Sequence, residues 1–313
     1  MLAFDHEALW AKSVLFIKRG LRERDARDYA GFQLWGAVAL ELLGKAALAR
    51  VHPALVVDPT HAESLFAACG RPAGVERRTI TAKTLFERLR RLNPRFDKQA
   101  QDFSLTLAIR RNGELHSGEA VYAGIKLESW VKHYWKVAAL VLETQARGLA
   151  DWIGEEEAKA AQEVIDEAMT ALKQAIDGRV RTQREKFDKQ FPPGSPERAE
   201  LVARHKGGAL VRWRDFQPYG WDHHIAIECP ACKCDGMLAG PSIGEEKVEL
   251  EFDEGEEPWT ELFDITCSSE AYRCRACDLK LDGLDEIEAA EIDSEFEVQE
   301  EREPEYEEEY ANE

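Results

Sequence analysis

Nothing in this chain approaches the roughly 20 consecutive apolar residues that a bilayer-spanning helix needs, so no transmembrane helix is expected. The opening residues, Met1-Leu2-Ala3-Phe4-Asp5-His6-Glu7, lack the basic, apolar and small-residue sections of a secretory leader. A cytoplasmic protein is the expectation. Internal repeats of the solenoid type are missing too. Cysteine is scarce outside one region: of seven, six fall between Cys229 and Cys277, and Cys69 stands apart. In a chain without an export leader, such clustering points to a metal site rather than to disulfides. Basic residues are sparse in the last third. From Glu228 onward there are 30 acidic and 6 basic residues, a net of −24, against 30 acidic and 35 basic in residues 1–227, a net of +5. Only the first part has the charge sign of a nucleic-acid binder. What remains, 313 residues with 44% hydrophobic and 32% charged side chains, suffices for one large or two modest soluble domains.

The first half reads as consecutive helices. Leu9, Trp10, Val14, Ile17 and Leu21 recur at helical spacing between about Glu7 and Leu21. Asp28 to Val51 is apolar around most of its girth and must be largely buried; its polar Glu41 and Lys45 stand four apart and can pair. After a Pro-containing loop beyond His52, Thr81 caps a helix that runs to the Asn93-Pro94 break, and Asp97 opens another through Leu107 and Ile109. Gly113 and Ser117-Gly118 mark its end. Lys126 to Ile153 closes the bundle. Glu155 to Gln190 reads as a long charged connecting or dimer-forming helix, and Ser195-Pro196 starts a short one. Beyond Gly207-Gly208 the period changes to two, with strands expected at 209–213, 224–228, 248–252 and around 263–266. From Asp285, 15 acidic residues against one Arg read as a disordered, solvated tail.

Residues Arg111-Asn112-Gly113-Glu114-Leu115-His116 place a permanent cation, an amide and an imidazole within a turn or two of backbone. The guanidinium can grip a phosphate in bidentate fashion, and an imidazole can give or take a proton near neutral pH. Together they suit RNA cleavage by the 2′-hydroxyl without a metal. Arg110 offers a second phosphate contact or is a solvated helix charge; Glu41 and Lys45 line the cleft or form a structural pair. The arrangement Arg-Asn-x-x-x-His resembles the signature of the HEPN family, small helical domains that often act as metal-independent endoribonucleases. The apolar segment Ala39-Leu40-Glu41-Leu42-Leu43-Gly44-Lys45-Ala46 is similar to that family's second helix. The resemblance covers about residues 4–150. It implies catalytic Arg111, Asn112 and His116, substrate-binding Arg110 and Lys45, an RNA substrate, a homodimer with one composite cleft, and a toxin-like or antiviral role.

Cys229-Pro-Ala-Cys232 and Cys274-Arg-Ala-Cys277 are two C-x-x-C knuckles separated by 41 residues. Four thiolates so paired close a tetrahedral shell around a structural Zn2+ with no open position for water, and the surroundings resemble a zinc ribbon. Cys234 and Cys267 either replace a neighbouring ligand or are small buried hydrophobes. An acidic insertion, about Gly244 to Glu261, projects from the module.

The expected architecture is α+β and multi-domain: a HEPN-like helical bundle over 1–153, connecting helices over 154–206, a β-rich zinc-ribbon-like domain over 207–284 and the acidic tail over 285–313. The first functional expectation is an endoribonuclease, with a regulatory protein partner for the acidic C-terminal region and no membrane partner. A non-catalytic adaptor is the second, and a nucleic-acid-binding regulator the third.

Overall fold

Short polar side chains start the helices where the sequence places them. In the computed structural model, which describes residues 3–71, 76–216, 221, 223–248 and 260–303, Asp5 caps α1 (His6–Asp25), Asp28 caps α2 (Tyr29–Val51), Thr81 caps α4 (Ala82–Leu92) and Asp97 caps α5 (Lys98–His116). Each side chain accepts a hydrogen bond from the backbone N–H three residues on, satisfying a donor that the helix leaves unpaired. A short helix absent from the sequence reading, α3 (Ala62–Ala68), interrupts the Pro-containing loop. Its cap is His61, an uncommon residue for that role.

The closing segment differs from the single helix expected over 126–153. It is a 3-10 turn at Leu127–Ser129, then α6 (Val131–Glu143) and α7 (Leu149–Ile153). Ala146 takes a positive φ of 53° and breaks the run. The long helix α8 spans Glu155–Gln190, and Ser195 caps α9 (Pro196–His205) as the Ser-Pro pair indicates.

The chain forms two compact units, residues 1–171 and 172–313, so the boundary falls inside α8 rather than at its ends. The first unit is all helical. Its core centres on α2, whose Phe32, Leu40, Leu43 and Leu48 are fully enclosed, and on Trp130, Tyr134 and Trp152. Phe32 and Trp130 lie 5.1 Å apart, Trp130 and Tyr134 5.4 Å, in tilted and edge-on arrangements that aromatic quadrupoles favour. The Tyr134 hydroxyl donates to the Gly36 carbonyl at 3.0 Å, and Trp152 Nε1 donates to Ser13 Oγ at 3.0 Å. The N-terminal half of α8 adds Ala158, Ala161, Val164 and Ile165 to this core.

The second unit holds two antiparallel sheets. One has the order β1-β2-β5-β6, from β1 (His223–Glu228), β2 (Asp235–Gly240), β5 (Ala271–Arg273) and β6 (Lys280–Asp282). The other is β3-β4-β7, from β3 (Ser242–Lys247), β4 (Glu261–Ser268) and β7 (Glu295–Arg302). Leu172, Ile176, Val180 and Phe187 of α8, with Phe191 just beyond it, pack with both sheets into one core that includes the clustered cysteines.

Two expectations are corrected here. The stretch 209–213 is not a strand; it is a turn leading to a 3-10 helix at Trp213–Phe216. The acidic segment is not disordered from residue 285: α10 (Leu284–Ala289) and β7 carry it to Arg302. Alternation explains the second. Phe296 and Val298 face the core while Glu295, Glu297, Gln299 and Glu301 face solvent, so the acidic composition hides a half-buried strand. The strand expected over 248–252 and most of the insertion lie outside the described residues beyond Val248, although β3 already pairs with β4 from Ser242. No helix among the described residues is long and apolar enough to cross a membrane.

Candidate active site and metal centre

The motif occupies roughly the last turn and a half of α5. Gly113 does not end the helix; it remains helical to His116, with Ser117 as the C-cap. Gly113 instead leaves space for Val121, whose Cγ2 would stand 2.9 Å from an added Cβ.

Helical geometry separates the two charged members of the motif. Five residues of α-helix turn by about 140°, so Arg111 and His116 leave the helix in different directions. Arg111 faces α2, where its Nη1 donates to Glu41 Oε2. The other Glu41 oxygen accepts from Lys45 Nζ at 2.8 Å, and Lys45 also reaches Thr79 Oγ1 at 3.0 Å. Asn112 Oδ1 accepts from Arg111 Nη2 at 2.8 Å and Nε at 3.2 Å. The structure thus brings Arg111, Asn112 and Lys45 together around Glu41. His116 is outside that cluster, exposed, with no hydrogen-bonded partner among the described residues. Arg110 is half-buried on the neighbouring position.

Electrostatics follow from this geometry. Burial alone would raise the Glu41 carboxyl, but the Lys45 ammonium and the Arg111 guanidinium hold it below the ordinary glutamate range. One carboxylate between two cations leaves a net positive charge at the edge of the cluster. Nearby, Tyr122 is buried with its hydroxyl unpaired among the described residues, and burial together with Glu114 pushes the phenol up to about 12 against the opposing pull of Arg111 and Arg110. Thr79 and Tyr122 carried no recognisable sequence signal, because each reaches the cluster from a loop.

The four knuckle cysteines converge. Cys229 and Cys277 sulfurs stand 3.6 Å apart, as do those of Cys232 and Cys274, and all four lie within 4.8 Å of one another. Ligands about 2.3 Å from a tetrahedral metal sit about 3.8 Å from each other, so the donor set fits a metal ion. A disulfide would need about 2.05 Å.

The two knuckles share one construction. The Cys229 N–H donates to the Cys234 carbonyl at 2.9 Å with Lys233 at φ 67°, and the Cys274 N–H donates to the Leu279 carbonyl at 2.9 Å with Asp278 at φ 58°. Each therefore tightens the turn of a hairpin, β1–β2 or β5–β6. Hydrogen bonds from Cys232, Cys274 and Cys277 pull the Cys229 thiol down in pKa, while Cys274 and Cys277, as its donors, are pushed up. A divalent ion would displace these shared protons. Cys234 and Cys267 stand outside the cluster. Both are buried, and burial raises each thiol, Cys267 to about 11; they behave as small hydrophobes.

One neighbour of the cysteine cluster was not foreseen. From α8, Arg184 donates to the Pro230 carbonyl at 2.7 Å and the Ala231 carbonyl at 3.3 Å, both within the first knuckle. Sequence spacing alone cannot place a helix 46 residues away on that turn.

Comparison of the chain with known family models, characterised proteins and solved structures gives no match.

Proposed function

We propose that this protein is a homodimeric, metal-independent endoribonuclease of the HEPN type, carrying a structural zinc module, with a toxin-like or antiviral role. The observation that supports this reading is the C-terminal end of α5: it presents Asn112 and His116 to solvent while Glu41, itself clamped by Lys45, holds Arg111 at its side. Arg111 and His116 leave the helix in different directions, so the guanidinium and the imidazole serve one phosphate only where the motifs of two copies meet. In the reaction, His116 takes the proton from a ribose 2′-hydroxyl as that oxygen attacks phosphorus. The 5′-oxygen leaves and takes a proton from a second imidazole, giving a 2′,3′-cyclic phosphate and a 5′-hydroxyl. One imidazole cannot stand on both sides of one phosphorus, so the second is His116 of another copy. Ile109 and Leu115, 70% and 54% exposed beside His116, provide apolar surface that a second copy would cover. The positive edge left by Glu41, Lys45 and Arg111 stabilises the added charge on the phosphorane-like transition state. Four thiolates in tetrahedral arrangement favour zinc, and a shell so filled leaves no place for a reacting water.

The test is direct. Purified protein is incubated with total cellular RNA without added divalent metal, beside the His116→Ala variant. Cleavage leaving 2′,3′-cyclic phosphate ends, reduced about 10²-fold or more in the variant, supports the enzyme. Equal background from both proteins refutes it.

A non-catalytic adaptor is the second reading. Its support is that Arg111, with a side chain only 17% exposed, is already committed to Glu41, as a structural ion pair would be.

A further inference from the structure

The exposed face of α1 carries Lys12, Leu15, Arg19 and Arg22 at spacings of three and four, flanked by Lys18. These positions form one stripe. In a chain of net charge −19, none of those four cations has a carboxylate partner among the described residues. Arg24, two residues beyond Arg22, is by contrast bound by Glu157 and Asp25. Behind the stripe, Phe16 and Trp35 lie parallel, 5.4 Å apart with planes at 3°. The Arg19 guanidinium rests on the Trp35 ring, 3.8 Å from its centre. Leu15, Phe16, Arg19, Arg22 and Glu23 line a groove of about 350 Å³ here, a size within the range of ligand-holding clefts.

We propose that this α1 groove is a docking site for single-stranded RNA, separate from the residues of the α5 motif; the proposal rests on the nuclease reading, whose substrate class it names. Trp35 holds the Arg19 guanidinium over its ring face, and an unpaired base stacks on the guanidinium plane so placed. The ordering cost that a free Arg would bear is already met by the indole. Arg22, Lys18 and Lys12 then contact successive phosphates without displacing any internal partner. Glu23 at the groove rim accepts from an exocyclic amine of the base. A duplex hides its bases and gains only the charge contacts. A lipid surface would need more insertable apolar area than one exposed Leu15.

The experiment uses the full-length chain with His116→Ala, so that RNA stays intact, and a fluorescein-labelled 20-nucleotide single-stranded RNA. Anisotropy is read at 50, 100 and 200 mM NaCl. Arg19→Gln with Arg22→Gln is expected to weaken binding at least tenfold and to lower the salt slope by about 0.7, the single-strand value for the one phosphate contact that Arg22 supplies. Arg19→Lys keeps the charge but loses the plane; it is expected to weaken binding about threefold with the slope unchanged. Arg204→Gln, on α9, is expected to change neither. Thermal melts confirm that these surface variants remain folded.

Unchanged affinity and slope in the double variant overturn the proposal. Equal affinity for the matching duplex overturns the base-stacking site. Tighter binding to phosphatidylserine–phosphatidylcholine vesicles, lost in the double variant, assigns the face to a membrane and overturns it as well. RNA cleavage by the chain with His116 intact is scored separately. Cleavage with a silent α1 face sinks only this proposal, whereas α1-dependent binding without cleavage sinks only the nuclease reading.

Discussion

Arg111 on α5 donates through Nη1 to Oε2 of Glu41 on α2, 70 residues earlier in the chain. Lys45 occupies the other oxygen, so a single carboxylate joins two helices and holds two largely buried cations. The energetic weight falls on Glu41. If it is removed, Lys45 and Arg111 face each other without a counter-charge.

Glu41→Gln is expected to destabilise the helical unit by about 3 kcal/mol at neutral pH. The pH dependence has a definite sign. Glu41 has a depressed folded-state pKa, so its contribution is fully present above the ordinary glutamate value of about 4.3 and is lost as pH falls through the lower folded value. The gap between wild type and variant should therefore narrow steadily below about pH 4. Urea midpoints at pH 7, 5, 4 and 3 measure this. A gap that stays constant would show that Glu41 does not titrate as a clamped carboxylate.

Cys232→Ser is expected to lose the bound metal, and Cys234→Ser to keep one equivalent per chain, because only the first has its sulfur among the four that converge. Elemental analysis of the purified proteins decides it. Equal metal content in the two variants would mean that Cys234 can serve as a ligand.

Arg184→Gln removes a charged donor from the Pro230 and Ala231 carbonyls of the first knuckle. Metal transfer to a coloured chelator should speed up severalfold, with one equivalent still bound at the start. The contact lies partly in solvent, so its worth is put at about 1 kcal/mol, below the usual range for a charged donor. Transfer at the wild-type rate would reduce Arg184 to a surface contact.

Gly240→Ala is expected to abolish or severely weaken folding of the second unit, by more than about 3 kcal/mol. A methyl group there would overlap the Ser268 carbonyl, and backbone on both sides cannot yield as a flexible side chain would. Gly240 and Pro241 carry the chain from one sheet to the other. Far-UV circular dichroism with a denaturation curve tests it; a near-wild-type midpoint would show that the corner can open.

Gln33→Met is expected to stabilise the helical unit by about 1 kcal/mol. The Gln33 amide is fully buried and neither its oxygen nor its nitrogen has a partner among the described residues, so an apolar side chain of similar length relieves a desolvation cost. A lowered midpoint would point to a polar partner for that amide.

The sequence by itself determined where most helices begin, because capping is local: Asp28, Thr81, Asp97 and Ser195 each act within three residues of themselves. It also marked the two C-x-x-C pairs whose sulfurs converge and the Glu41–Lys45 pair, since both follow from short fixed spacings. It misjudged β7, where charge density outweighed the alternation of Phe296 and Val298, and it could not decide between Cys232 and Cys234. Tertiary structure alone decided that Arg111 turns toward Glu41 while His116 faces solvent. It also decided that Arg184 reaches the first knuckle and that Arg19 rests on Trp35. Each of those facts depends on two segments distant in sequence meeting at a set angle, and only packing of the whole unit fixes such angles.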